Sequence, residues 1–147
     1  QLFMEYFPDS NRKTEAQLMI FNLQDKLVMK DYLTAKLYYD LGTYTGNASY
    51  TADMRINGNN FLACITTAQN ALKDYPYTSM REDISILLLR AKHKLGSESV
   101  LDKKEERMRE TIDEYYAFKN EFPESKYMKE VEAIYKDASK YVKELNE

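Results

Sequence analysis

The sequence contains few residues that interrupt helices. Its 147 residues include only four glycines and three prolines, and all of them lie between segments in which apolar residues recur every three or four positions. The interiors of the predicted helices are therefore unbroken. Such a pattern is hard to reconcile with a β-sheet protein, and it predicts an all-α fold.

Residues that commonly carry chemistry are also scarce. The single cysteine, Cys64, excludes an intrachain disulfide, and we predict that it is a small buried residue. The only histidine, His93, lies among Arg90, Lys92 and Lys94 with no cysteine or carboxylate at metal-ligand spacing. The chain has no glycine-rich phosphate loop, and its carboxylates are spread over the predicted helix exteriors. We therefore predict no metal, no cofactor and no enzymatic activity.

Neither the charge nor the apolar content favours nucleic acid or a bilayer as a partner. The 21 basic and 24 acidic residues give a formal net charge of −3, which produces no strong field of either sign. No run approaches the roughly 18 apolar residues of a membrane span. The 13 tyrosines, in a chain without tryptophan, predict amphipathic side chains packed between helices with their hydroxyls toward water.

All three prolines share one local context. Each follows an aromatic residue and precedes a hydroxyl residue by two positions, as in Phe7-Pro8-Asp9-Ser10, Tyr75-Pro76-Tyr77-Thr78 and Phe122-Pro123-Glu124-Ser125. Proline stops the helix before it, and Ser or Thr can cap the helix that follows. This predicts one structural unit used three times. The spacings of 68 and 47 residues predict that the units are unequal, with one stretched by a long helix and a loop.

The apolar periodicity predicts a single array of about five helices over residues 1–147. The expected helices span residues 12–41, 60–75, 79–95, 101–122 and 126–145. In the first of them an apolar stripe is formed by Ala16, Ile20, Leu23 and Leu27, and it continues at Leu33, Leu37 and Leu41 after the face drifts at Lys30-Asp31. We expect Gly42 to end this helix and Gly96 to stop the third. Residues 1–7 resemble the end of an earlier helix, so we expect the chain to be a fragment of a longer one.

The order of these features resembles the tetratricopeptide (TPR) pattern. Leu41 and Gly42 lie near the end of a first helix, the small residues Ala63 and Ala71 lie in a second, and Pro76 follows it. Pro123 marks the next unit. The resemblance implies a TPR-like solenoid of helical hairpins, although the 47-residue spacing exceeds the usual period of about 34.

Three segments further resemble the BamD family, the TPR lipoproteins of the outer-membrane β-barrel assembly machinery. They are KDYLTAKLYYDLG at residues 30–42, LKDYPYT at 72–78 and FPESKY at 122–127. The likeness extends over essentially the whole chain, corresponds to the C-terminal half of that family, and has the tyrosine-rich style of its Bacteroidetes branch. Two departures are a loop around residues 48–57 that is longer than usual and Thr67, which stands where many members carry arginine.

The resemblance implies a non-catalytic scaffold at the periplasmic face of the outer membrane. Its implied partners are a BamA-type periplasmic domain and other lipoproteins of the assembly complex, and its membrane contact is a lipid anchor upstream of this chain. We predict that the exposed face of the second helix, with Thr66, Thr67, Asn70 and Lys73, contacts the partner.

The sequence also supports an alternative function, a TPR-like surface lipoprotein that binds peptide or carbohydrate. Residues 43–60 are rich in Asn, Thr and Gly and predict a long exposed loop, in which Tyr44 and Tyr50 would form a ligand wall. Asn47 begins a glycosylation sequon, but this triplet often arises by chance, and we do not expect it to carry a sugar. Deleting the loop separates the two functions, because only the alternative requires it.

Overall fold

The computed structural model describes residues 2–8, 12–44 and 59–142. The regular structure in these ranges is entirely helical, which confirms the all-α fold. The helices are α1 (Leu2–Tyr6), α2 (Lys13–Leu41), α3 (Asn60–Asp74), α4 (Arg81–Ser97), α5 (Leu101–Glu121) and α6 (Met128–Ala138). The five long ones, of 11 to 29 residues, agree with the predicted number.

The long helices pack mainly on their neighbours in the chain. Each of α2 to α5 contacts the next helix, and α4 also contacts α2 on one side and α6 on the other. Among the described helices, α3 and α5 do not contact each other. Packing between neighbours is what two-helix repeat units require. It agrees with the predicted TPR-like solenoid, which stays a prediction.

The same helix faces are buried at intervals of 47 residues. The buried residues of α3 are Phe61, Cys64, Ala68 and Ala71, and those of α5 are Met108, Thr111, Tyr115 and Phe118. In α4, Ile84, Leu87 and Ala91 are likewise followed after 47 residues by Val131, Ile134 and Ala138 of α6. The pairs α3–α4 and α5–α6 are therefore two copies of one packing unit.

The turns between the helices of each unit also repeat. Tyr75 ends α3 with φ −129° and ψ 65°, and Phe122 ends α5 with φ −128° and ψ 63°. Each aromatic residue donates its N–H to the carbonyl four residues earlier, at 3.0 and 2.8 Å. Pro76 and Pro123 thus mark equivalent positions, as the sequence predicts.

The hydroxyl residue of each turn accepts a hydrogen bond just before the next helix. Thr78 Oγ1 accepts from the N–H of Met80 at 3.2 Å, and Ser125 Oγ accepts from the N–H of Tyr127 at 3.0 Å. Met80 and Tyr127 are themselves the N-caps, and neither makes a side-chain capping bond. The hydroxyls therefore stabilise the turn that leads into the helix, instead of the helix N-cap as we expected.

Pro8 does not mark an equivalent position. The buried residues Val28 and Ala35 of α2 are seven residues apart, as are Ile84 and Ala91 of α4, so Val28 corresponds to Ile84. In α4 the proline of the preceding turn, Pro76, lies eight residues before Ile84. Eight residues before Val28 is Ile20, inside an unbroken α2. The 68-residue spacing from Pro8 to Pro76 is longer than 47 because α2 extends beyond the position where a turn would begin. Asp9 and Ser10 lie outside the described residues.

Gly42 ends α2 as predicted. Its φ of 54° and ψ of −119° are rarely adopted by residues with a side chain, and its N–H donates to the Tyr38 carbonyl at 3.1 Å. The carbonyl of Gly42 accepts from the N–H of Asn60 at 3.1 Å, which holds the two ends of the 43–60 loop together. Residues 45–58 of this loop, including Asn47 and Tyr50, lie outside the described residues.

Two predicted helix ends are wrong. We expected Gly96 to stop α4, but the helix continues to Ser97, since Gly96 does not adopt the positive φ of a helix-ending glycine. Its missing side chain instead allows close packing on α5. A Cβ atom at Gly96 would lie 3.0 Å from the sulfur of Met108.

The last helix was expected to reach residue 145, whereas α6 ends at Ala138, where Ser139 Oγ donates to the Tyr135 carbonyl at 2.7 Å. Residues 143–147 lie outside the described residues.

Candidate functional site

The leucine stripe of α2 faces solvent instead of the core. Met19, Leu23, Leu27, Leu33, Leu37 and Leu41 are between 38% and 61% exposed. The buried residues of this helix are Val28 and Ala35. The predicted stripe includes these five leucines but not Met19, and its other two members, Ala16 and Ile20, are half-buried. The sequence did not show that the leucines lie outside the packed interior.

A second apolar face of α2 forms the contact with α3 and α4. Around Val28 and Ala35, the tyrosines Tyr32, Tyr38 and Tyr39 are partly buried in the same cluster. The ring of Tyr39 contacts Phe61 of α3 edge to face, with centroids 5.7 Å apart. Burial raises the pKa of Tyr39. Apolar periodicity does not reveal this face, because small and amphipathic residues form it. The seven-residue spacing of Val28 and Ala35, which recurs in α4 and α6, is the sequence signal that indicates it.

The exposed face has a regular pattern, which we call the outer α2 stripe. It consists of Met19, Leu23, Lys26, Leu27, Lys30, Leu33, Leu37 and Leu41. At 1.5 Å per residue the stripe is about 33 Å long. Lys26 and Lys30 are exposed at its centre, and neither forms an ion pair with a described residue. Although α2 has the length of a membrane span, no helix in the described ranges is also apolar enough to be one.

The residues predicted to contact a partner lie together on the solvent side of α3. Thr66, Asn70 and Lys73 are exposed, and Thr67 is half-buried. Their side chains make no hydrogen bond or ion pair with another described residue. Thr66, Asn70 and Lys73 thus lie on one accessible polar surface, and Thr67 lies at its edge, beside the buried face of α3.

The residues predicted to define the repeat have different environments. Gly42 is buried, Leu41, Pro76 and Pro123 are exposed, and Ala63 is half-buried. The small residues that allow α3 to pack closely are Ala68 and Ala71, which are both buried. Ala63 therefore lies at the margin of the α3 interface.

Paired charges occupy the contact between α4 and α6. Arg90 donates from Nε and Nη2 to the two carboxylate oxygens of Glu130, each at 2.6 Å, and its guanidinium lies 5.4 Å from the ring centroid of Tyr127. This hydrogen-bonded pair lowers the pKa of Glu130. Nearby, His93 Nε2 lies 2.9 Å from Asp137 Oδ2, and this contact lowers the pKa of Asp137. These groups are occupied in holding α6 to α4.

The few reactive side chains are committed to packing. Cys64 is fully buried, and burial raises the pKa of its thiol to about 12, so it is protonated at neutral pH. His93 already contacts Asp137. Within residues 2–8, 12–44 and 59–142, no three His, Cys, Asp or Glu side chains are grouped as metal ligands. The accessible candidates for function are therefore the outer α2 stripe and the polar surface of α3.

Comparison with known proteins does not assign a function to either surface. No model of a known protein family matches this sequence, and no curated protein matches it significantly. The resemblance to the BamD family and the partners that it implies therefore stay predictions.

Proposed function

We propose that this protein is a non-catalytic scaffold that binds other proteins through exposed helix surfaces. The observation that carries the proposal is the outer α2 stripe, in which six large apolar side chains remain accessible along one helix. Exposed apolar surfaces of this extent are unusual on isolated soluble proteins and commonly mark interaction sites. Packing between neighbouring helices supports the proposal, because it leaves long faces open to partners.

The resemblance to the BamD family supplies the proposed partners. They are a BamA-type periplasmic domain and the other lipoproteins of the assembly complex, at the periplasmic face of the outer membrane, with a lipid anchor upstream of this chain. We assign the BamA-type domain to the surface formed by Thr66, Thr67, Asn70 and Lys73. Its accessibility and its lack of hydrogen bonds to other described residues support this assignment.

Binding of a purified BamA-type periplasmic domain, measured by isothermal titration calorimetry, tests the proposal. The double variant Asn70→Trp, Lys73→Glu should weaken binding by about tenfold or more, since it changes both the shape and the charge of the exposed α3 surface. Lys129→Glu is a matched control because it reverses an exposed lysine on α6. Absence of binding by the unmodified chain would refute the partner assignment, and equal binding by the double variant would refute the assignment to α3.

One observation favours the alternative function of binding peptide or carbohydrate. Tyr44 is exposed, and its backbone carbonyl accepts from Asn60 Nδ2 at 2.9 Å, so the backbone that carries this aromatic side chain is fixed where the loop leaves α2. Residues 45–58 can be replaced by a short glycine linker, because the bond between Gly42 and Asn60 brings the loop ends together. Loss of binding to a glycan array on this deletion would favour the alternative. Retained binding of the BamA-type domain would favour the scaffold.

A further inference from the structure

The charge pattern of the outer α2 stripe identifies the kind of surface that fits it. We propose that the stripe binds an amphipathic α-helix from outside residues 1–147 whose apolar face carries acidic residues at its centre. This inference rests on the proposed scaffold function and names the chemistry of one partner. It concerns a different surface from the α3 residues assigned to the BamA-type domain.

The spacing of the stripe is suited to a partner helix. Met19, Leu23, Lys26, Lys30, Leu33 and Leu37 follow one another at steps of four, three, four, three and four residues. This alternation is the seam of a helix that packs along another helix, with side chains inserted between those of the partner. A length of about 33 Å accommodates some six turns of a second helix.

The two central lysines determine the charge of that helix. Lys26 and Lys30 lie four residues apart, so they are neighbours on the helix surface and their like charges repel each other. No carboxylate lies three or four residues from either of them on α2, and neither has an ion-pair partner among the described residues. A partner that covers the stripe must desolvate these ammonium groups, which is costly unless an opposite charge is supplied. Acidic side chains at the centre of the partner provide that charge.

A second copy of this chain fits the stripe less well. The apolar residues are mirrored about Lys30, with Leu27 and Leu33, Leu23 and Leu37, and Met19 and Leu41 at equal distances on either side. An antiparallel symmetric pair of α2 helices would therefore match apolar residues, but it would place Lys30 against its own symmetry mate at the two-fold axis. That juxtaposition of like charges disfavours the dimer and favours an acidic helix.

Two designed peptides of about 25 residues test the proposal. Both carry leucine at the seam positions except for the two central ones, which are glutamate in one peptide and lysine in the other. In calorimetric titrations we expect the glutamate peptide to bind about tenfold more tightly, since two attractive contacts replace two repulsive ones. The variant Lys26→Glu, Lys30→Glu should reverse this preference. Lys129→Glu, Lys136→Glu, which alters two exposed lysines of α6, should leave it unchanged.

A second variant locates the binding surface. Leu23→Ser, Leu37→Ser changes only exposed side chains, so the fold should persist, as circular dichroism can verify, while binding of the glutamate peptide should fall at least tenfold. Equal affinity for the two peptides, or no binding of either, would overturn the inference.

It would also be overturned if the unmodified chain forms a dimer that Leu23→Ser, Leu37→Ser dissociates, or if the stripe binds phosphatidylglycerol vesicles in preference to the peptide. Binding of the BamA-type domain is measured separately, so either proposal can fail while the other holds.

Discussion

The guanidinium of Arg90 and the carboxylate of Glu130 meet in a double hydrogen bond between α4 and α6, with both N–O distances at 2.6 Å. The helices on which they lie repeat the same buried positions 47 residues apart. The polar groups beside this interface do not repeat, and they fix α6 specifically to α4. The ionisation of these carboxylates therefore contributes to the attachment of the last helix, beside the buried apolar residues Val131 and Ile134.

Replacing Glu130 by glutamine should make this dependence measurable. The pKa of Glu130 is lowered in the folded chain, so its stabilisation is present above the unfolded pKa of about 4.3 and is lost as the pH falls through the lower folded value. We expect Glu130→Gln to reduce the free energy of unfolding by roughly 0.5–1 kcal/mol at pH 7, a magnitude typical of partly exposed ion pairs. The difference should disappear at the acid end of a series of urea titrations.

The control for this experiment is Glu124→Gln, which changes an exposed carboxylate without an ion pair to a described residue. It should leave the free energy of unfolding nearly unchanged across the series. A deficit of Glu130→Gln that persisted equally at every pH would show that its carboxylate charge is not what stabilises the α4–α6 contact.

Close approach of α6 to α4 depends on a small residue, Ala138. It is fully buried and equivalent to Ala91 of α4, so a larger side chain must displace its neighbours. We predict that Ala138→Leu lowers the free energy of unfolding by about 1–3 kcal/mol, as measured by urea denaturation. Ala133→Leu places the same side chain at an exposed site of α6 and should change stability by less than about 0.5 kcal/mol. Similar effects of the two substitutions would contradict the assigned packing of α6.

Much of this fold could be predicted from the sequence. Periodicity indicated that α2 is one long helix, Gly42 indicated its end, and the spacing of Pro76 and Pro123 gave the interval at which packing repeats. These features are encoded locally, by backbone conformations that particular residues favour. Gly96 could not be interpreted in this way, because it serves a tertiary contact with Met108 and not a helix end.

The candidate site was predicted only in part. The solvent side of α3 was identified because a helix with one clear apolar face has one clear polar face. In contrast, α2 has two apolar faces, and periodicity cannot show which of them the neighbouring helices cover. Leu37 has the stronger apolar character, yet Ala35 is the buried residue, because small side chains allow helices to approach closely. Lys26 and Lys30 indicate the charge of a binding partner only because this face is exposed.

Gly42 should tolerate no side chain. A Cβ atom there would lie 3.1 Å from the ring of Phe61, and the positive φ would be strained in any other residue. We expect Gly42→Ala to lower the free energy of unfolding by about 1–2 kcal/mol, measured by urea denaturation. Thr43→Ala, at the exposed next residue, should be nearly neutral. An unchanged stability of Gly42→Ala would mean that α2 can end in another conformation.

The thiol of Cys64 should report the opening of the α2–α3–α4 cluster. Burial raises its pKa from 9.0 to about 12, which lowers the reactive thiolate at pH 8 by roughly a thousandfold, and the fully buried side chain is inaccessible to reagent as well. We therefore expect Ellman's reagent to label the native chain at least a thousandfold more slowly than a Cys64→Ala, Ser79→Cys variant, whose thiol lies at an exposed turn residue. In concentrated urea the two proteins should react at similar rates. Rapid labelling of Cys64 under native conditions would show that α3 separates readily from α2 and α4, contrary to the packing described for these helices.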